Sequence, residues 1–330
     1  MNSSRLNRRH FLRASLAGAA IPGMALAREA SSYPAPDREL MASAAGGRLY
    51  VRVNGDLNSS RPPVVMIHGG PGSSHSPFLN LLAISEDRAV ILYDQLDSGL
   101  SDRPNDPANW TVNRFVSEVD AVRRALGVKR WHVLGHSWGG TIALEYGAKR
   151  PDALAGLILA SPLISTRSWI ADAGALRKEL PPSVQVILNK CDPPATITEA
   201  CNRATEAFYA SYVLRNPRPA ALRAYVAAHP AVRQNTRLYE TMWGASEFIA
   251  SGSLRDYNGE GLLTKLNGPQ TLFIAGQYDE ARPSTLGSFA ARATGADFAV
   301  VPGSGHVFYS DRPAEALGIL RPWLREHDAA

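Results

Sequence analysis

The feature that most constrains this chain is a series of short apolar runs, each broken by a glycine or polar turn at its C-terminal end. "VVMIHGG" (64–70), "AVILYDQ" (89–95), "WHVLGHS" (131–137), "LAGLILAS" (154–161), "TLFIAGQYD" (271–279) and "FAVVPGSGH" (298–306) read as buried strands, and "RLYVRVNG" (48–55) alternates like a half-exposed one. Helical patterns separate them. "TVNRFVSEVDAVRRAL" (111–126) puts Val112, Phe115, Val116, Val119, Val122 and Leu126 on one face, and "PAEALGILRPWLRE" (313–326) reads as a closing helix. Strands alternating with helices predict an α/β fold with a mostly parallel, doubly wound sheet covered on both faces. In such sheets chemistry gathers at the C-terminal ends of the strands. The glycines and polar residues of this chain fall there.

The rhythm stops between 163 and 262. That stretch is rich in Ala, Arg and Pro and holds helical segments such as "ITEACNRATEAFYASYVLR" (197–215). It predicts a helical cap (163–262) inserted between the first part of the core (28–162) and the second (263–330). A chain of 330 residues, 45% hydrophobic and 20% charged, has the material for one large domain carrying such an insertion. No run of ~20 apolar residues is available to cross a bilayer, so no membrane anchor is expected. Cys191 and Cys201 lack the spacing of a zinc site, and no metal is expected. Ten residues apart, they either pair or remain two free thiols.

Residues 1–27 read as an address. "NRRHFLRASLAGAAIPGMALA" places Arg8 and Arg9 before Phe11 and Leu12, then a mildly apolar segment, then an Ala25-Leu26-Ala27 cleavage site. This predicts a twin-arginine (Tat) signal peptide, a mature chain starting near Arg28, and a periplasmic location. The full chain carries a formal charge of +5, but four arginines and no acid lie in 1–27, which leaves +1 after cleavage. So small a charge does not point to nucleic acid.

Gly135-His136-Ser137-Trp138-Gly139 is G-x-S-x-G set between a strand and a helical segment, the context of a nucleophile elbow. The glycines let the turn close, and the helix after it aims its N-terminal amides at an oxyanion. A serine nucleophile needs a base, and the base needs an orienting acid, in the order Ser, acid, His in this kind of sheet. Asp279 ends one late strand run. Of eight histidines, His306 alone combines a late position, a preceding strand and flanking glycines. His136 within the elbow and His68 at the head of "HGGPG" (68–72) read as structural, and His229 as a surface residue of the insertion. The oxyanion donors expected are the amides of Trp138 and of Gly70, with Gly69 the second choice for the latter.

With these residues in hand the chain resembles the proline iminopeptidase family of α/β-hydrolases, a family that includes L-amino acid amidases. The matching motifs are "HGGPGSSHS", "YDQLDSGLSDRP", "GHSWGG", "MWGASEF", "GQYDEARP" and "GSGH". The resemblance implies an α/β-hydrolase fold and a serine hydrolase that releases an N-terminal residue, proline or another small one, from a small peptide or amino acid amide, with no cofactor. It further implies that Glu247, in "MWGASEF", and Glu280, after the catalytic aspartate, bind the substrate's free amine. Trp138, Trp243 and Phe248 are expected to form an apolar side-chain pocket. Asp97 stands where the family has glycine or a similar small residue, which sets an expected charge close to the "HGGPG" turn. Rival readings are an amino acid amidase or general esterase and, from a different class, a ligand receptor on a hydrolase fold. Haloalkane dehalogenases and epoxide hydrolases are disfavoured, because they carry aspartate at the nucleophile position.

Overall fold

A computed structural model describes residues 32–191 and 198–328. The predicted signal peptide and the Arg28 start lie outside the described residues. Eight strands form one sheet: β1 (Arg38–Ala44), β2 (Gly47–Asn54), β3 (Val64–Ile67), β4 (Val90–Tyr93), β5 (Trp131–His136), β6 (Leu154–Ala160), β7 (Thr271–Gly276) and β8 (Asp297–Val301). Their spatial order is β1-β2-β4-β3-β5-β6-β7-β8. β2 pairs antiparallel with β1 and β4, and all pairs from β4 to β8 are parallel. The parallel strands β3 to β7 are almost wholly buried, as a sheet covered on both faces requires. β1 has no counterpart in the sequence reading. "RELMASA" is an edge strand, largely exposed, so it lacks the apolar run that marks its neighbours.

Helices α1 (Val112–Leu126), α2 (Trp138–Gly147) and α8 (Pro283–Ala290) cover one face of the sheet. The 3-10 segment Ser76–Glu86, α9 (Phe308–Asp311) and α10 (Pro313–Glu326) cover the other. α1 begins at Thr111, whose side chain accepts the Arg114 N–H, and stops at Gly127 in the left-handed conformation. Its expected apolar face is inward, but Glu118 is buried beside it. That carboxylate accepts the Leu96 N–H at 3.0 Å and pairs with Arg114. Burial pushes its pKa up to about 7.

Between β6 and β7 the chain forms α3 (Thr166–Arg177), α4 (Pro182–Leu188), α5 (Glu199–Tyr212), α6 (Ala220–Ala228) and α7 (Thr236–Met242). Leu176, Leu188, Ala204, Phe208, Tyr212 and Phe248 make a small core of their own here. Cys191, after α4, and Cys201, in α5, form a disulfide.

Candidate active site

The strand-to-helix turn after β5 holds Ser137 at φ 56°, ψ −122°, a conformation that costs a non-glycine residue about 1–3 kcal/mol. The turn is locked on both sides. The Ser137 N–H donates to the Ala160 carbonyl at 3.0 Å, and the Ser137 carbonyl accepts the Gly140 N–H at 2.8 Å. The glycines are demanded by contact: a Cβ on Gly135 would stand 2.1 Å from the Gly139 carbonyl oxygen, and one on Gly139 would stand 2.1 Å from that of Ile67. Trp138 opens α2, so its N–H is among those a helix leaves without an internal partner.

Asp279 lies in the turn after β7 and is 1% exposed. Its Oδ1 accepts the His306 Nδ1–H at 2.8 Å and the Ala281 N–H at 2.8 Å. Its Oδ2 accepts the Gly276 N–H at 3.1 Å and the Ser161 hydroxyl. Four donors therefore hold this carboxylate aligned on the imidazole. Ser161, at the end of β6 and itself at positive φ, escaped the sequence reading. It looked like the routine polar end of an apolar run.

His306 presents its Nε2 toward a cavity of about 360 Å³ that Ser137 also borders. Among the described residues no hydrogen bond joins Ser137 Oγ to that ring; such contacts often tighten only in the substrate complex. The histidine's loop is tied to the end of α5, because the His306 and Val307 N–H groups donate to the Tyr212 and Val213 carbonyls, both at 2.9 Å. Below it, His136 Nε2–H donates to the His306 carbonyl at 2.9 Å, and its Nδ1 accepts the Tyr309 hydroxyl at 3.2 Å, a tautomer assigned from these partners. Burial, then the His306 charge, drives the His136 pKa well down, so this ring is a neutral prop.

The "HGGPG" turn packs directly on the elbow, and a Cβ on Gly69 would be 2.9 Å from Ser137 Cβ. Gly70 is at φ 108° and precedes a cis bond to Pro71. Gln95 braces the arrangement. Its N–H donates to His68 Nε2 at 3.0 Å, its Nε2 donates to the His68 carbonyl at 2.7 Å, and its Oε1 accepts the Trp138 indole N–H at 2.8 Å. Gln95 sits in "YDQLDSG", and only the motif itself could have singled it out. His68 is buried and structural as expected, whereas His229 is half-buried and stacked on Tyr225.

Glu247 and Glu280 line the same cavity. Glu247 Oε1 accepts the Tyr239 hydroxyl at 2.7 Å. Glu280 is 1% exposed, its Oε1 lies 3.7 Å from His306 Nε2, and its Oε2 has no partner. Burial raises the pKa of both, and for Glu280 the neighbouring Glu247 and Asp279 charges raise it further.

One expectation needs correction. Trp138, Trp243 and Phe248 do not line the cavity. Their side chains are buried elsewhere: Trp138 on Gln95 and Phe115, Trp243 against Trp169 with its indole N–H on the Ser246 carbonyl, and Phe248 on Phe208. The apolar wall comes instead from Val213, Leu214, Leu222, Val226, Val232 and Val307. Asp97 lies near the "HGGPG" turn as expected: its carbonyl accepts the Asn235 side-chain N–H at 2.8 Å, and the Asn235 N–H donates to the Gly72 carbonyl at 2.8 Å. Its carboxylate accepts the Trp110 indole N–H at 2.8 Å and the Asn105 N–H at 2.7 Å, within its own loop.

A family model described as alpha/beta hydrolase fold matches residues 62–313, in keeping with the sheet order and with a serine on a tight strand-to-helix turn. The chain is 36% identical over 280 residues to the proline iminopeptidase of Heyndrickxia coagulans, covering 84% of this chain and 96% of that one. Among solved structures, the proline iminopeptidase of Mycobacterium smegmatis superposes with a TM-score of 0.78 at 33% identity, over 88% of this chain and 99% of that chain. VinJ superposes at 0.79 and 34% identity with the same coverage. The chain belongs to the proline iminopeptidase family of α/β-hydrolases.

Proposed function

We propose that the protein is a serine aminopeptidase that releases N-terminal proline, or another small residue, through an acyl-enzyme. Ser137 Oγ attacks the first carbonyl carbon of the substrate while its proton passes to His306 Nε2. Asp279, held by its four donors, keeps the imidazole in the tautomer that can accept this proton and stabilises the imidazolium formed. The N–H groups of Trp138 and Gly70 receive the oxyanion, each worth about 3–4 kcal/mol in the transition state. Collapse breaks the C–N bond as His306 returns the proton to the departing amine. Water, deprotonated by His306, then hydrolyses the ester and frees the amino acid.

The observation that carries this reading is the pair Glu247 and Glu280. Two carboxylates share a cavity with Ser137, one has a buried oxygen with no partner, and among the described residues neither forms an ion pair with a lysine or arginine. An α-ammonium or a prolyl secondary ammonium supplies the missing cation, at up to ~4 kcal/mol for a contact near 4 Å at an effective dielectric near 20. Anchoring the amine places the first carbonyl at Ser137 and leaves no room upstream. The test is a matched pair of substrates, prolyl amide and its N-acetyl form. Acetylation removes the charge and adds bulk, so cleavage is expected to be nearly abolished; equal rates would overturn the aminopeptidase reading in favour of a general esterase or amidase.

We further propose export by the twin-arginine route, with residues 1–27 as signal and the insertion 163–262 as a cap over the sheet. The charge and order of 1–27 support the first, and the helices between β6 and β7 support the second. Replacing Arg8 and Arg9 by lysine is expected to strand the protein in the cytoplasm on fractionation; unchanged periplasmic delivery would overturn it.

A further inference from the structure

The cavity that holds the two carboxylates also borders two arginines, Arg218 and Arg233. Both are exposed, and among the described residues neither forms a salt bridge. The cavity thus carries unpaired charges of both signs, acidic within and basic at the rim. Opposite charges in one cavity that do not pair with each other suit a ligand that itself carries both signs.

The arginines stand on fixed backbone. The Asp311 carboxylate accepts the N–H groups of Arg215 at 2.9 Å and Asn216 at 2.7 Å, which anchors the strand of chain leading to Arg218. Around Arg233, the Val232 carbonyl accepts the Ser74 hydroxyl at 2.8 Å, the Gln234 side chain donates to the Pro71 carbonyl, and the Asn235 N–H donates to the Gly72 carbonyl at 2.8 Å. Arg233 is therefore carried beside the "HGGPG" turn, whose Gly70 is the donor proposed for the oxyanion. A substrate threaded with its amine on Glu247 and Glu280 has its first carbonyl at this turn. The departing residue begins on the far side of that carbonyl. In a dipeptide, the next charged group is the C-terminal carboxylate.

We infer that Arg218 and Arg233 receive the C-terminal carboxylate of a short peptide, so that the substrate class is the free dipeptide or tripeptide with a small N-terminal residue. This rests on the aminopeptidase reading above and narrows it. A cavity of about 360 Å³ is near the small end of ligand sites, which run from about 300 to 1,000 Å³, and matches a peptide of this length. Guanidinium is also the side-chain group whose planar fork fits a carboxylate with two hydrogen bonds. Being solvated at the rim, the two cations need no partner when the site is empty, and a partly exposed carboxylate contact adds a modest, salt-sensitive preference.

The experiment compares prolyl-glycine with prolyl-glycinamide, on the wild-type enzyme and on the Arg218→Gln/Arg233→Gln double variant. The expected wild-type result is a kcat/KM about tenfold higher for the free acid, carried by KM and shrinking as salt is raised. In the double variant the ratio is expected to fall to about one. Equal wild-type rates on the two peptides, or a ratio that survives in the double variant, would overturn this inference and leave the aminopeptidase reading standing. Cleavage of neither peptide would overturn both.

Discussion

Two buried acids stand next to each other in sequence and are treated in opposite ways by the fold. Asp279 has two donors on each carboxylate oxygen, all supplied by the protein. Glu280 has one oxygen with no partner and the other 3.7 Å from His306. Folding completes the first group and leaves the second incomplete. An uncompensated buried carboxylate costs stability, because burial penalises the charged form. Its presence in the cavity of Ser137 and His306 makes sense if a substrate cation finishes the arrangement. On the proposed function, stability and substrate binding fall to adjacent residues, and the two predict different mutant behaviour.

The largest effects test the completed side. Ser137→Ala and His306→Ala are each expected to lower kcat by several orders of magnitude, read in steady-state assays on a prolyl amide. Asp279→Asn is expected to cost about three to four orders, because the amide cannot hold the imidazole's tautomer or its charge. It should also lower the melting temperature, since at least one inward-pointing N–H or hydroxyl loses its acceptor, at about 1–3 kcal/mol.

The neighbouring acid should behave in reverse. Glu280→Gln is expected to reduce kcat/KM for aminoacyl amides by ~1–3 kcal/mol, to spare a neutral ester such as nitrophenyl acetate, and to raise the melting temperature. A lowered melting temperature, or equal losses on both substrates, would erase the contrast and make Glu280 part of the scaffold.

A pH profile sharpens the same point. The Glu247 and Glu280 carboxyls titrate above the ordinary glutamate range. The protonated form does not attract an ammonium, so KM for a prolyl amide should rise as pH falls through that raised range. KM for the neutral ester should stay flat over the same interval. Profiles of kcat/KM report the free enzyme, where the pair has no cation, and are the ones to compare.

The smallest effect concerns a third buried acid. Asp97 is satisfied by its own loop, so Asp97→Asn is expected to cost about 1 kcal/mol of stability in chemical denaturation. The ratio of prolyl to alanyl amide hydrolysis should be unchanged. A shifted ratio would give Asp97 an influence on selectivity.

The parallel strands and their turns were legible because each buried strand is a continuous apolar run with a sharp end. That Asp279 would meet His306, and that Ser137 would border the same cavity, was readable because chain order and strand ends are written in the sequence. β1 was not, since an exposed edge strand carries no such run. Glu118 reads as a solvated helix charge until the Leu96 amide and Arg114 are seen around it. The cavity wall was misassigned for a related reason. Trp138, Trp243 and Phe248 are near the site in sequence, but large aromatic side chains gain more from full burial than from lining a wet cavity. For Asp97 the sequence gives the position of a charge but not the partners its side chain takes, here Trp110 and Asn105. Whether Cys191 and Cys201 meet was left open by spacing and is answered only by how α4 and α5 pack.

The hydrogen bonds from His306 and Val307 to the end of α5 carry a lesson for protein engineering. They make the His306 loop a shared possession of the sheet and the helices that follow β6. A chimera that exchanges those helices to change specificity inherits a histidine loop whose backbone amides have lost their acceptors. Successful grafts onto this scaffold will be those whose donor helix ends in register with the Tyr212 and Val213 carbonyls, whatever side chains they bring to the cavity.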